Sequence, residues 1–168
     1  MKDPDYRKCL NAALRLLGTR DHGSVELRRK LSQRGFEASQ IERVLAECER
    51  LAYLDDRKFC DLIVSQQRRK GYGILRITQV LRDKGLCAAY IEAGLRQACC
   101  DLNQLADCRR IMHRKLKTLD TAENNALKQK LFRFLQRRGF PPSTIVSVLD
   151  EEIAAFLRRQ ADKENISI

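Results

Sequence analysis

Few side chains of this 168-residue sequence have types and spacings that could perform chemistry. Only two histidines, His22 and His113, are available as bases. A zinc site could be formed by Cys99, Cys100, Cys108 and His113. Their spacing, however, lacks the CxxC pair that zinc motifs usually contain. We interpret the seven cysteines as reduced thiols, with Cys9, Cys48 and Cys60 buried on helix faces, and we predict no metal and no cofactor.

Two adjacent carboxylates, Asp55 and Asp56, could also bind a metal ion. We favour a helix start, in which one carboxylate is the N-cap and the other lies near the positive end of the helix. Cys99 and Cys100 could include a nucleophile, but neither has a histidine nearby in the sequence. The GxSxG, Walker A, HExxH and Rossmann patterns are absent from the sequence. We therefore expect a protein that is not an enzyme.

Positive charge is the strongest chemical feature of the sequence. Lys and Arg number 33 against 22 Asp and Glu, which gives a formal net charge of +11. A repeated basic surface of this kind suits a long polyanion or the groove of an acidic filament. We predict a basic stripe for binding protein and nucleic acid, formed by Arg28, Arg29, Lys30, Arg34, Arg68, Arg69, Lys70, Tyr72, Arg76, Lys84, Lys128, Arg133 and Arg137. Each cluster could also be an ordinary solvated helix face.

Tyr72 is the aromatic residue whose surroundings best suit binding. It lies in the segment Lys70-Gly71-Tyr72-Gly73, where flanking glycines leave it without the support of a helix and where arginines are nearby. The tyrosine could anchor an interface or could fold onto the protein core, and both interpretations remain open. The Gly-x-Gly pattern itself is too short to be a phosphate-binding loop.

Long apolar segments are absent from the sequence. The longest uninterrupted apolar runs are five residues, Cys87–Ile91 and Ile153–Leu157, whereas a transmembrane helix needs about 20. The N-terminal residues MKDPDYRKCLNAALRLL carry two acids and no unbroken apolar segment, unlike a secretory signal. We therefore expect a cytoplasmic protein with no membrane partner.

An internal repeat indicates which elements position these residues. Apolar residues recur at helical spacing, and no alternation typical of strands persists. The segment Leu27–Leu45 recurs as Ile77–Leu95 and as Leu131–Leu149, with offsets of 50 and 54 residues. One column of the repeat contains three glycines, Gly35, Gly85 and Gly139. This column predicts a helix end, a turn at a glycine with positive φ, and a second helix.

A further helix is predicted before each helix pair, at about residues 5–19, 56–70 and 102–119. The pattern predicts an all-α protein of about nine helices, arranged as an elongated, curved solenoid of three tandem three-helix repeats. The three repeats cover residues 1–52, 53–99 and 100–168. They form one continuous structural unit, because about 50 residues bury too little surface alone. We expect residues 163–168 to fray and the protein to be a monomer.

The middle of the chain carries two recognisable segments. Leu51–Phe59 reads LAYLDDRKF, and Arg69–Gly73 reads RKGYG. The first is similar to the G-Y-L-D-D-x-x-F signature of the bacterial RecX family, and the second is similar to its R-K-G-x-G segment. Arg20–His22 together with Glu26–Leu31 resembles the first signature of that family, and Leu131–Phe140 resembles its C-terminal unit. The resemblance covers essentially the whole chain.

The sequence departs from the family pattern at two positions. Ala52 lies where the family usually has glycine, and Gly23 lies where it usually has a serine that would cap a helix. We expect Ser24 to provide this cap one residue later.

The resemblance implies a regulator of the RecA recombinase. Proteins of the family are tandem three-helix repeats that bind in the groove of the RecA–DNA filament, block its extension and promote its disassembly. They thereby inhibit ATP hydrolysis, strand exchange and RecA-stimulated repressor cleavage, which implies a role in DNA repair, homologous recombination and the SOS response. The implied partners are the RecA filament and single- or double-stranded DNA. The alternative is a non-specific basic DNA-binding protein of tandem helix-turn-helix type that competes for DNA.

Overall fold

The computed structural model describes residues 4–98, 101–118 and 124–166 of the chain. These residues form nine α-helices and contain no strand. The helices are α1 (Pro4–Thr19), α2 (Ser24–Ser32), α3 (Ala38–Arg50), α4 (Asp56–Arg69), α5 (Ile74–Asp83), α6 (Ala88–Ala98), α7 (Asp101–Leu116), α8 (Asn124–Arg137) and α9 (Pro142–Ile166). The all-α class with nine helices is therefore confirmed for the described ranges.

The helices before each pair, α1, α4 and α7, begin within one residue of the predicted positions. The second helices of the three pairs, α3, α6 and α9, begin at Ala38, Ala88 and Pro142, each three residues after its turn glycine. Helix α7 ends at Leu116, earlier than the predicted end near 119, a position that lies outside the described residues. Helix α9 continues to Ile166, past the start of the stretch that was expected to fray.

The chain divides into two compact units. The first unit consists of Met1–Val64 and Val80–Gly94, and the second consists of Ser65–Gln79 and Leu95–Ile168. The division falls within α4, α5 and α6, so each of these helices contributes residues to both units. The repeat boundaries at 52/53 and 99/100 stay a prediction.

Each unit has a core built from the apolar helix faces. The core of the first unit contains Cys9, Ala13, Leu27, Leu31, Ile41, Val44, Leu45, Cys48 and Leu54. The core of the second unit contains Cys108, Ile111, Met112, Leu116, Leu127, Leu131, Leu135, Phe140, Ile145, Val148, Leu149 and Ile153. The predicted burial of Cys9, Cys48 and Cys60 is confirmed. Burial raises the pKa of Cys60 to about 11 and that of Cys108 to about 12, so both are protonated, unreactive thiols at neutral pH.

The glycines of the repeat column form the turns inside the three helix pairs. Gly35, Gly85 and Gly139 have φ angles of +82°, +78° and +85°, a region that a side chain disfavours. The amide of the following residue donates to a carbonyl five residues earlier, as from Phe36 N to Leu31 O at 3.4 Å. This bond defines a Schellman turn, which satisfies the last carbonyls of the helix.

The end of α3 has the same turn without a glycine. The amide of Tyr53 donates to Cys48 O at 2.9 Å, and the residue in the left-handed conformation is Ala52, with φ of +57°. Among the described residues Ala52 is the only non-glycine with positive φ. Its methyl group therefore strains the backbone at a position where the RecX pattern has glycine.

The substitution Ala52→Gly should raise the free energy of unfolding by about 1 kcal/mol, because glycine adopts this conformation without steric cost. Ala46→Gly is the matched control, since Ala46 is an exposed residue within α3. The control should lower the free energy of unfolding by about 0.5–1 kcal/mol. Urea unfolding of both variants checks the prediction, and equal losses of stability would contradict it.

Candidate functional site

The predicted basic stripe contains two kinds of cation. Five are ion-paired: Arg28, Lys30, Arg68, Lys84 and Lys128. Seven are exposed and form no ion pair within the part of the chain that the structure describes: Arg29, Arg34, Arg69, Lys70, Arg76, Arg133 and Arg137. The remaining stripe residue, Tyr72, has its ring within cation–π range of the Arg76 guanidinium. Members of the stripe therefore have different roles.

A buried carboxylate holds two stripe lysines in the first unit. Glu26, which is only 8% exposed, accepts two hydrogen bonds from the Arg20 guanidinium, one of them at 3.2 Å. The ammonium groups of Lys30 and Lys84 each lie 3.7 Å from a Glu26 oxygen. The hydrogen bonds from Arg20, together with the nearby charge of Lys84, lower the pKa of Glu26 to about 2. Lys30 and Lys84 thus belong to an internal charge network, which their place in the predicted stripe did not anticipate.

His22 completes this network. Its ring is 3% exposed, with Nδ1 2.9 Å from Arg20 O and Nε2 2.9 Å from Lys30 Nζ. A carbonyl can only accept and an ammonium can only donate, so Nδ1 carries the proton and Nε2 accepts. Burial is the main reason that the pKa of His22 is lowered. The histidine is therefore a neutral, fully bonded part of the fold.

The adjacent aspartates start one helix and cap another. Asp55 accepts a hydrogen bond from Lys58 N at 3.0 Å and is the N-cap of α4, as predicted. Asp56 instead accepts from the amide and the hydroxyl of Ser24, at 2.7 and 2.6 Å. The expectation that Ser24 caps α2 was wrong, because Ser24 is the first helical residue and Asp56 supplies the acceptor. Gly23 is the N-cap and makes no side-chain bond.

Two other stripe arginines are held by acids. Arg28 donates from Nε and Nη2 to the Glu42 carboxylate at 2.6 and 2.9 Å. Arg68 Nε donates to Asp107 at 2.8 Å, and Arg110 donates to the same carboxylate at 3.0 Å. Part of the charge on these two arginines is thus compensated within the protein.

In the second unit the RKGYG segment and the start of α5 are hydrogen-bonded through the backbone to the turn between α8 and α9. We call this contact the joint. Gly73 N donates to Arg138 O at 2.9 Å, and Leu75 N donates to Gly139 O at 3.0 Å. A Cβ atom on Gly73 would lie 2.5 Å from the carbonyl carbon of Gly139 and from Phe140 N, which no real contact allows. The turn between α4 and α5 therefore requires glycine, because it lies directly against the backbone of the turn between α8 and α9.

Tyr72 lies between two guanidinium groups at this joint. Its half-buried ring is 5.4 Å from the Arg138 guanidinium and 6.0 Å from that of Arg76, within cation–π range. Arg138 also donates from Nη1 to Lys70 O at 2.8 Å. The tyrosine is thus packed onto the joint, and its use as an interface anchor stays a prediction.

Of the four candidate zinc ligands, the structure describes only Cys108 and His113. Cys99 and Cys100 lie outside the described residues, Cys108 is fully buried, and His113 Nε2 lies 2.7 Å from Glu152 Oε2. Within the described residues, no group of three or more potential ligands could hold a metal ion. None of the helices in these ranges is long and apolar enough to cross a membrane.

Three family models match successive parts of the chain. They describe the first three-helix domain of RecX, at residues 9–48, the second, at 55–95, and the third, at 103–149. The chain belongs to the RecX family. The predicted organisation in tandem three-helix repeats is thereby confirmed.

Known RecX proteins are similar over most of the chain. A "Regulatory protein RecX" of Pelodictyon phaeoclathratiforme is 37% identical over 150 residues, which are 89% of this chain and 91% of the relative. The "Regulatory protein RecX" of Chlorobaculum tepidum is 39% identical over 159 residues, 92% of this chain and 96% of the relative. The crystal structure of RecX from Lactobacillus salivarius has the same fold, with a TM-score of 0.78, 20% identity, and coverage of 88% of this chain and 96% of that one. The chain is a regulatory protein of this family.

Most of the RecX signature residues have structural roles here. The first signature forms the charge network around Glu26, and the two aspartates of the second start α4 and cap α2. Arg29, Arg69 and Lys70 are among the exceptions, because their side chains are exposed and unpaired among the described residues. Sequence reasoning missed Arg20 and Glu26 as structural groups, and it placed Asp56 at the start of a helix without anticipating its bonds to Ser24. The one available signal was an acid, Glu26, in an otherwise basic helix.

The joint predicts opposite effects of alanine at two glycines. Gly73→Ala should lower the free energy of unfolding by about 1–3 kcal/mol, because the new methyl group must displace the backbone at Gly139. Gly18→Ala is the control, since Gly18 lies in α1 with no atom within 4 Å of its Cβ position. The control should raise the free energy of unfolding by up to about 1 kcal/mol. Thermal and urea unfolding measure the free energies of unfolding of both variants. An unchanged value for Gly73→Ala would contradict the close contact between the two turns.

The buried histidine predicts a loss of stability in mild acid. Its folded pKa lies below the ordinary 6.5, so the unfolded chain binds the proton more readily. The free energy of unfolding should therefore fall as pH drops through 6.5, by at most about 1.4 kcal/mol per pH unit. Glu26 has a pKa of about 2 in the folded protein, against an ordinary value of 4.5. Its contribution to the free energy of unfolding is therefore lost only below pH 4.5.

His22→Gln should reduce this slope between pH 7.5 and 5.5, since the amide keeps a donor and an acceptor but does not titrate there. His113→Gln serves as the control and should retain the slope, because it leaves the Glu26 network intact. Urea midpoints across the pH range provide the measurement. An unchanged slope in His22→Gln would assign the pH dependence to other groups.

Proposed function

We propose that this RecX family member is a cytoplasmic, monomeric negative regulator of the RecA recombinase. It binds in the groove of the RecA–DNA filament, blocks extension and promotes disassembly. ATP hydrolysis, strand exchange and RecA-stimulated repressor cleavage are inhibited as a consequence. The observation that carries the proposal is that a member of this family keeps exposed, unpaired cations on both of its compact units.

Arg69 and Lys70 are the strongest candidates for contact with the filament. Arg69 is the last residue of α4, Lys70 begins the turn that follows it, and both side chains are exposed. The carbonyl of Lys70 accepts a hydrogen bond from Arg138 at 2.8 Å, so the backbone that carries these cations is held in place. A preorganised pair of cations loses less conformational entropy when it binds phosphates or carboxylates.

The charges on α3 argue against a helix-turn-helix reader of naked DNA. In such a motif the second helix enters the major groove. The second helix of the first pair, α3, contains three glutamates and two arginines. Both arginines are already engaged, since Arg43 stacks on Tyr6 at 4.9 Å and Arg50 pairs with Glu47 at 2.7 Å. DNA phosphates would meet net negative charge on this helix.

RecA-catalysed, DNA-dependent ATP hydrolysis tests the proposal. The protein is titrated at amounts well below RecA, with free DNA in large excess. Strong inhibition under these conditions supports action on the filament, because the protein cannot then hide the DNA. Inhibition that begins only when the protein matches the DNA sites would instead support the plain DNA competitor, whose affinity should fall steeply with salt.

The double variant Arg69→Glu/Lys70→Glu should raise the concentration for half-maximal inhibition by about tenfold, since both substitutions repel an anionic groove. Arg7→Glu/Arg15→Glu is the matched control, because it changes the charge equally at exposed residues of α1. The control should inhibit nearly as well as the parent. Circular dichroism should give equal helix content for all three proteins, and equal inhibition by both variants would remove Arg69 and Lys70 from the site.

A further inference from the structure

A groove lies between α8 and α9. None of its lining residues belongs to the charge network around Glu26 or to the joint. The groove lies in the second unit, is open to solvent and has a volume of about 250 Å³. Phe132 and Leu149 form its apolar floor, and Lys128, Gln129 and Arg133 surround the floor. The groove therefore combines an apolar surface with a largely basic rim.

The size of the groove fits a side chain better than a free small molecule. Pockets for small molecules typically measure about 300–1,000 Å³ and enclose most of the ligand, whereas this groove is smaller and open. The apolar surface continues along α9, because Val146 lies one turn before Leu149 and is 58% exposed. An extended partner could place one bulky apolar side chain on the floor and continue past Val146.

The charge of α8 specifies an acidic partner. The helix contains four basic residues and no acidic residue. Three of them, Lys130, Arg133 and Arg137, are exposed and unpaired within the described ranges. The fourth, Lys128, forms a 2.7 Å ion pair with Asp150. These cations offer several places for the carboxylates of a partner to pair.

We propose that this groove docks an acidic peptide segment that carries one bulky apolar side chain. The apolar side chain would cover Phe132 and Leu149, and a flanking carboxylate would pair with Arg133 on the rim. This combination of a central apolar anchor and a charged rim is common in peptide recognition. A nucleic acid backbone matches the cations but provides no aliphatic group for the floor. The docking function is additional to the filament binding proposed above and does not depend on it.

The test uses the full chain and a fluorescein-labelled synthetic peptide, in which one phenylalanine is flanked on each side by five glutamates. Fluorescence anisotropy should give saturable binding. A peptide with serine in place of the phenylalanine should bind at least about tenfold more weakly, because it lacks the anchor. This comparison leaves the protein unchanged, so it does not depend on the folding of any variant.

Arg133→Glu should weaken binding of the phenylalanine peptide by about tenfold or more. Arg15→Glu makes the same change of charge at an exposed site on α1 and should have little effect. Arg133 is exposed, so its substitution should leave helix content unchanged. A single-stranded oligonucleotide of 20 residues, titrated against the same variants, provides the comparison with nucleic acid.

Three outcomes would overturn the proposal: no saturable binding, equal affinity for the two peptides, or equal effects of Arg133→Glu and Arg15→Glu. If Arg133→Glu weakened only the oligonucleotide, the groove would be a nucleic acid contact and not a peptide site. The peptide assay contains neither RecA nor DNA. Its failure would therefore leave the filament hypothesis untouched, and failure of that hypothesis would leave the docking site untouched.

Discussion

In the second unit, two turns approach each other so closely that neither has space for a side chain at the point of contact. A Cβ on Gly73 would meet the backbone at Gly139, and a Cβ on Gly139 would lie 2.5 Å from Arg76 N. The first unit has a related contact, where a Cβ on Gly85 would lie 2.6 Å from a methyl group of Val25. Gly85 and Gly139 therefore permit close packing as well as sharp turns, whereas Gly35 serves only its turn because no atom lies near its Cβ position.

The basic residue before each turn glycine shows that some cations are bonded within the protein and others are exposed. Lys84 binds Glu26 in the first unit, and Arg138 binds Lys70 O in the second. Arg34 occupies the same column in the first repeat, and its side chain is exposed. One repeat position thus supplies both internal bonds and surface charge. The proposed binding surface consists of the cations that form no ion pair among the described residues.

The helices and their turns could be predicted because their signals are local. Apolar spacing, the glycine column and the N-cap Asp55 are each determined within a few residues. The division of the cations could not be predicted in full, because most of the partners are distant in sequence; the Lys30–Glu26 pair, four residues apart, is local. Arg68 and Asp107 are 39 residues apart, and Asp56 is 32 residues from Ser24. Net charge alone therefore does not tell which cations of the predicted stripe are ion-paired within the protein.

Amide hydrogen exchange at Gly73 and Leu75 tests the joint most directly. Amides at the start of a helix usually lack a partner and exchange rapidly, but these two donate to Arg138 O and Gly139 O. They should exchange at least about tenfold more slowly than the amide of Ser39, which lies near the start of α3, where the cap makes no side-chain bond. Equal rates after correction for intrinsic exchange would mean that the turns do not meet in solution, and the structural role assigned to the RKGYG segment would be wrong.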